Sequence, residues 1–395
     1  MGGRGVAEEP PEAPPPTVKR IGVAGAGTMG AGIAQVAALG GYETRLHDPQ
    51  PPALERGLER LRDQLRQGAE RGRWGAGDAR AAWGRVTAVP QLEELAGCEL
   101  VIEACPEDLE LKRELFGALA VICGPDAVLA TNTSSLPVSD IAVGVAGPGR
   151  VCGMHFFNPP ALMRLVEVVA TAQTAEASLQ AVEVVAREMG REPIRCTDSP
   201  GFIVNRCNRP YSLESLRILD EGFATHEQID AVMRDDGGYP MGPFELMDLI
   251  GVDVNLEVAR SFYRQRHEPR WRPHAIQERM VAEGRFGRKA GHGFYDYGDE
   301  TEPAETVRLS GETRRAVLER VVSQLANEAA FAAGEGVAAP AEIDSAMRLG
   351  LNHPRGPFEW VKELGAPRII STLDGLRSAT GDERYDVAPL LRERA

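Results

Sequence analysis

The sequence has no Cys-x-x-Cys pair among its six cysteines (98, 105, 123, 152, 196 and 207). Neither a zinc knuckle nor a disulfide framework is suggested, and reduced thiols in a cytoplasmic setting fit better. None of its seven histidines pairs with another at the spacing of a helical metal site, so no metal is expected. No stretch approaches the roughly 18 apolar residues of a membrane span, and the first 17 residues lack the apolar core of a signal peptide. Positive charge is also in short supply, with 44 Lys and Arg against 58 Asp and Glu, a net charge of −14. An acidic surface repels nucleic acid and anionic membranes, which excludes them as general partners. What is present is the composition of an ordinary soluble protein in 395 residues, enough for two or three domains.

Residues 1–17, rich in Pro and Glu, read as a disordered tail. Arg20 to Ala24 then forms a short apolar strand that runs into Gly25-Ala-Gly27-Thr28-Met29-Gly30 and a helical stretch to Leu39. Strand, glycine turn and helix together are the setting in which a G-x-G-x-x-G match carries meaning, because a helix N-terminus then faces a pyrophosphate. A second strand, Glu43 to His47, ends at Asp48. A carboxylate there accepts bonds from ribose hydroxyls and repels a 2′-phosphate, so NAD is expected rather than NADP.

Residues 53–85 interleave arginines and acids around Leu54, Leu58, Leu61 and Leu65 at helical spacing, which buries one face and solvates the other. Strands follow at Leu100–Glu103 and Ala127–Asn132, with a helical segment between them. Alternation of strand and helix gives a parallel doubly wound sheet whose ligand edge lies at the carboxyl ends of the strands. Glu107, Lys112 and Ser134 fall in those edge loops, although serine and threonine there often serve only as caps.

Val151 to Val169 concentrates the chemistry. A strand delivers His155 and, beyond it, Asn158 to its end, and a return strand, Leu165 to Ala170, brings Glu167 back beside them. A carboxylate beside an imidazole fixes its tautomer and supports a general base. Helix Ala177–Met189 and strand Glu192–Cys196 complete this part, and Pro200-Gly201 opens a helical regime. There Ile229-Asp230 to Arg234, with Gly242-Pro-Phe-Glu245, recurs as Ile343-Asp344 to Arg348 with Gly356-Pro-Phe-Glu359, always 114 positions later. Where the first copy reads Asn205-Arg206 the second reads Glu319-Arg320, so the second is expected to supply packing rather than a second site. An acidic linker near residues 299–305 separates them.

The glycine turn, Glu107-Asp-Leu-Glu-Leu-Lys112, Asn132-Thr-Ser134-Ser, His155-Phe-Phe-Asn158-Pro, Gly201-Phe-Ile-Val-Asn205-Arg206, Gly238 to Leu246 and Lys289-Ala-Gly-His-Gly-Phe-Tyr295 resemble the 3-hydroxyacyl-CoA dehydrogenases. The resemblance implies a Rossmann-type doubly wound α/β domain (18–197) followed by two all-α C-terminal-type domains (198–298 and 310–395), like the 3-hydroxybutyryl-CoA and 3-hydroxyadipyl-CoA branches. It implies oxidation of an (S)-3-hydroxyacyl-CoA with NAD, His155 acting as base and Glu167 orienting it. Ser134 and Asn205 would hold substrate oxygens, with Asn158 assisting. The glycine turn with Thr28 and Met29, Asp48, Glu107, Lys112, Ser134, Asn158 and Lys289 would contact NAD, and Arg71 and Arg73 are the candidates for CoA. The implied site is a cleft between domains, in a monomer or homodimer. Two rivals share parts of this reading: a hydroxy-acid dehydrogenase of the L-gulonate type, and a non-catalytic NAD-binding protein of the crystallin kind.

Overall fold

The computed structural model describes residues 17–298 and 309–394, so nearly all of the Pro-rich tail and the acidic linker at 299–305 lie outside the described residues. Two compact units are present, one made of the chain up to Thr133 together with Val138–Pro193, the other of Ser134–Pro137 and the chain from Ile194 onward.

The first unit is built on strands β1 (Arg20–Ala24), β2 (Glu43–His47), β3 (Val86–Val89), β4 (Leu100–Glu103), β5 (Val128–Thr131), β6 (Val151–Phe156) and β7 (Leu165–Ala170), and the chain passes into the second unit within β8 (Glu192–Thr197), the sheet order being β3-β2-β1-β4-β5-β6-β7-β8. β1 to β6 pair in parallel, and β7 returns antiparallel against β6. Every residue of β4, β5 and β6 is buried, as strands covered on both faces require. Register brings Ala24, His47, Glu103 and Thr131 level, which gathers the strand ends along one edge. The arginine-rich segment is a hairpin of helices Pro51–Glu70 and Ala76–Gly84. Trp74 closes it, donating Nε1 to the Leu65 carbonyl at 2.8 Å while its ring fills the space that a side chain at Gly68 would need.

The second unit is helical. Its first copy contains helices Val204–Cys207, Arg209–Asp220, His226–Asp235, Pro243–Ile250, Val252–Arg266 and Ala275–Ala282. The second contains Gly311–Gly334, Pro340–Leu351, Pro357–Leu364, Ala366–Thr380 and Pro389–Arg392. The sequence repeat has a physical reason. Asp230 accepts the Phe244 and Glu245 amides at the start of helix Pro243–Ile250, and Asp344 accepts the Phe358 amide at the equivalent place. Gly242 and Gly356 are required because a Cβ on either would fall within 2.5 Å of that aspartate. Glu245 and Glu359 cap their own helices and reach back to Arg234 and Arg348.

The two copies also exchange buried charge. Arg206 meets Glu328 at 2.9 Å and Glu335 through two bonds of 2.9 Å, while Arg320 meets Glu214 at 2.5 Å and Glu221 at 2.6 and 2.8 Å. Arg320, Glu328 and Glu335 lie 114 positions beyond Arg206, Glu214 and Glu221, so the exchange is reciprocal. Among the described residues no helix is long and apolar enough to cross a membrane.

Candidate active site

Three glycines of the turn after β1 are there for three different reasons. Gly25 has φ +107°, and a Cβ on it would lie 2.6 Å from the Ala104 carbonyl oxygen. A Cβ on Gly30 would strike the Gly25 carbonyl at 1.8 Å, so this glycine lets helix Thr28–Leu39 sit against the strand. A Cβ on Gly27 would meet nothing within 4 Å. Protein packing therefore does not demand the middle glycine, and the space it leaves open lies at a helix N-terminus, where backbone amides favour an anion. Asp48 anchors the turn, since its carboxylate accepts the Ala26 amide and the Gln50 amide, each at 3.0 Å. Thr28 is exposed and Met29 partly buried beside it.

At the end of β4, Glu103 is fully buried and accepts from Lys112 Nζ, Thr131 Oγ1 and the Cys105 amide, all at 2.6 Å. Lys112 is itself 1 % exposed, and also reaches Glu107 at 3.3 Å. Glu107 in turn accepts Thr133 Oγ1 at 2.6 Å. Lys112 thus holds loop carboxylates in place from inside the protein. Glu103, its main partner, was not singled out from sequence, where it reads as the polar end of an apolar strand.

The antiparallel register of β6 and β7 sets His155 directly opposite Glu167. His155 Nδ1 lies 2.6 Å from Glu167 Oε2, with the histidine 5 % exposed and the glutamate fully buried. Nδ1–H donates to the carboxylate, which makes Nε2 the basic nitrogen. The Phe157 ring lies 4.6 Å from the imidazole, and Asn132 Oδ1 accepts the Phe156 amide at 2.8 Å, fixing the end of the strand. Asn158 is exposed, and its side chain bonds to no described residue.

In the second unit, Asn205 Nδ2 donates to the Ser134 carbonyl at 3.4 Å, and Gln265 Nε2 to the Ser135 carbonyl at 3.1 Å. The serine loop and the Asn205 helix are therefore one local structure, and Gln265 is a support that sequence reading missed. Lys289, half exposed, pairs with Asp253 at 2.7 Å. Arg71 and Arg73 are exposed in the turn of the hairpin in the first unit, without side-chain partners among the described residues. The position equivalent to Asn205 in the second copy is Glu319, which pairs with Arg368 at 2.6 Å.

The sequence matches two descriptions, "3-hydroxyacyl-CoA dehydrogenase, NAD binding domain" over residues 20–199, and "3-hydroxyacyl-CoA dehydrogenase, C-terminal domain" over residues 201–297 and again over 317–395. The chain belongs to the 3-hydroxyacyl-CoA dehydrogenase family. It is 36 % identical to the 3-hydroxyadipyl-CoA dehydrogenase of Escherichia coli, over 96 % of this chain and 98 % of that one. It is 40 % identical to the probable 3-hydroxybutyryl-CoA dehydrogenase of Bacillus subtilis, over 72 % of this chain and 99 % of that one. Among solved structures, the 3-hydroxybutyryl-CoA dehydrogenase of E. coli superposes with a TM-score of 0.90 at 35 % identity, covering 96 % of this chain and 98 % of that one. The protein is an NAD-dependent oxidoreductase that converts a 3-hydroxyacyl-CoA to the 3-oxoacyl-CoA.

Proposed function

We propose that the chain oxidises short (S)-3-hydroxyacyl-CoA thioesters in the cytoplasm, with His155 as the general base. The observation that carries this is the buried His155–Glu167 pair, with its 2.6 Å contact at Nδ1. Nε2 takes the proton of the 3-hydroxyl as the C3 carbonyl forms, and gives it back in the reverse direction. Glu167 keeps the ring in one tautomer and offsets the positive charge that it acquires. NAD supplies the acceptor for the C3 hydride. Gly27 and the amides of the glycine turn hold its pyrophosphate, Asp48 its ribose hydroxyls, and Glu107, Ser134, Asn158 and Lys289 line its remaining length. Lys112 acts through Glu107 rather than by direct contact, in keeping with its burial.

Ser134 and Asn205 hold the substrate oxygens, which places the 3-hydroxyl and the thioester carbonyl on polar groups supported by Gln265. Arg71 and Arg73 meet the CoA phosphates, beside an apolar groove floored by Leu65, Ala69, Ala79 and Trp83. Similarity to acyl-CoA dehydrogenases along the chain opposes the free hydroxy-acid reading, which shares the His–Glu pair, and the presence of that pair opposes the non-catalytic reading. The test is His155→Gln in an assay of acetoacetyl-CoA reduction by NADH. A loss of roughly 10² to 10⁴-fold in kcat is expected from a general base, and an unaltered rate would refute the assignment.

A further inference from the structure

Ser134 to Pro137 belong to the second unit, although the chain on either side of them, up to Thr133 and again from Val138, belongs to the first. So short an excursion keeps its place through what it meets on arrival. Two side-chain amides of the helical unit take successive carbonyls there, Asn205 Nδ2 donating to Ser134 at 3.4 Å and Gln265 Nε2 to Ser135 at 3.1 Å. The first bond is longer than the usual N–H···O range and the second falls inside it. Asn205 is also assigned an oxygen of the substrate, so Gln265 is the amide that holds the loop without a second duty toward the ligand.

Gln265 projects from a fixed frame. It lies in the last turn of helix Val252–Arg266, and the same Nε2 reaches Ser261 Oγ, one turn earlier, at 3.3 Å. Phe262 of that turn is fully buried, and a Cβ on Gly201 would lie 2.0 Å from its ring, so the bare glycine is what admits the aromatic. At the other end of the helix Asp253 pairs with Lys289 at 2.7 Å, and a Cβ on Gly251 would come within 3.1 Å of the lysine nitrogen. Packing and charge therefore fix the helix at both ends.

The carbonyl that Gln265 holds is one residue from Ser134, and neighbouring Cα atoms are only about 3.8 Å apart. A slip of the loop at Ser135 is thus passed to the serine, and a hydroxyl bond tolerates a spread of only about half an ångström. We propose that Gln265 is a positioning residue for the reaction: by fixing the Ser135 carbonyl it sets where the Ser134 hydroxyl stands against the substrate oxygen. This rests on the assignment of Ser134 to that oxygen.

The test follows acetoacetyl-CoA reduction by NADH with the full chain. Gln265→Met keeps the length of the side chain and loses the donor. Its kcat is expected to fall by about tenfold or more, toward the roughly 10²-fold scale of a ~1 Å misplacement, while thermal unfolding stays at the wild-type temperature. Gln265→Lys, which returns a donor on a long stem, recovers most of that rate. Gln265→Glu, of the same size without the donor, repeats the loss where the methionine variant does not fold. Ser134→Ala, alone and combined with Gln265→Met, shows which residue the glutamine acts through, because the double variant should be no slower than Ser134→Ala. A wild-type kcat in Gln265→Met, or a loss that persists undiminished in the Ser134→Ala background, overturns the proposal. Ser134→Ala at the wild-type rate instead removes the serine assignment, and the proposal with it.

Discussion

Arg206 and Glu335 meet end to end, two guanidinium nitrogens on two carboxylate oxygens at 2.9 Å, across the boundary between two copies of one helical sequence. A bidentate pair of this kind fixes orientation as well as proximity. Arg206 is fully buried and also holds Glu328, so removing it leaves that carboxylate, 1 % exposed, with Arg270 at 3.1 Å as its remaining ion-pair partner. Arg206→Ala is expected to cost about 3–5 kcal/mol of unfolding free energy. Arg320→Ala, its equivalent, should cost a comparable amount. Urea titration measures both, and a change within about 0.5 kcal/mol for either would show that the reciprocal network does not hold the copies together.

Glu167 serves His155 by charge and by tautomer. Glu167→Gln keeps the shape and loses the charge, and an amide can present its N–H to the imidazole, which favours the wrong tautomer. A drop in kcat of about 10²-fold or more is expected, with KM for the acyl-CoA little changed. A rise in KM at constant kcat would mean that the carboxylate contributes to binding instead.

The glycine turn separates folding from cofactor binding within six residues. Gly30→Ala forces a methyl group into the Gly25 carbonyl, and is expected to destabilise the unit by at least the 1–3 kcal/mol or so of an overpacked core. Gly27→Ala meets no protein atom, so it should leave thermal unfolding of the apoprotein near the wild-type value and weaken NADH binding by about tenfold or more. Calorimetry and fluorescence titration check the pair. Equal NADH affinity in Gly27→Ala would remove the pyrophosphate from that place.

Stability should also depend on pH through His353, packed against Tyr211 and Tyr239 with ring centres at 5.9 and 4.8 Å. Burial pushes its pKa down to about 3, against an ordinary value of 6.5. Between those limits the unfolded chain binds the extra proton. The contribution is therefore complete above about pH 6.5 and falls as pH drops toward 3, by up to about 1.4 kcal/mol per unit. Burial works against ionised Glu335, but hydrogen bonds from Arg206 hold its carboxyl below the usual range, which adds a second loss in more acidic solution. His353→Phe should flatten the melting temperature between about pH 7 and 5 while leaving the steeper acid loss. An unchanged slope in that window would exclude the histidine.

The sheet, the glycine turn and the His155–Glu167 pair were legible because each is local or nearly so. A strand, a short connection and a return strand fix which residues face each other. β3 was not legible, since Val86 to Val89 is half exposed and follows directly on an arginine-rich helix. Lys112 read as a loop lysine facing a ligand, because nothing local reveals that Glu103 is buried beneath it. The repeat, Asp230 and Asp344 included, was visible as a spacing, but the bonds by which those aspartates cap the next helix were not.

One consequence of the reciprocal network concerns inheritance rather than stability. Identical subunits drawn from one gene must change together, so that any substitution appears on both sides of their contact. Two copies on one polypeptide are released from that rule. Here the shared arginines and glutamates are kept on both sides, while the residue before each arginine has diverged, Asn205 in one copy and Glu319 in the other. The second copy therefore carries Glu319, paired with Arg368, where the first carries Asn205 beside the Ser134 carbonyl.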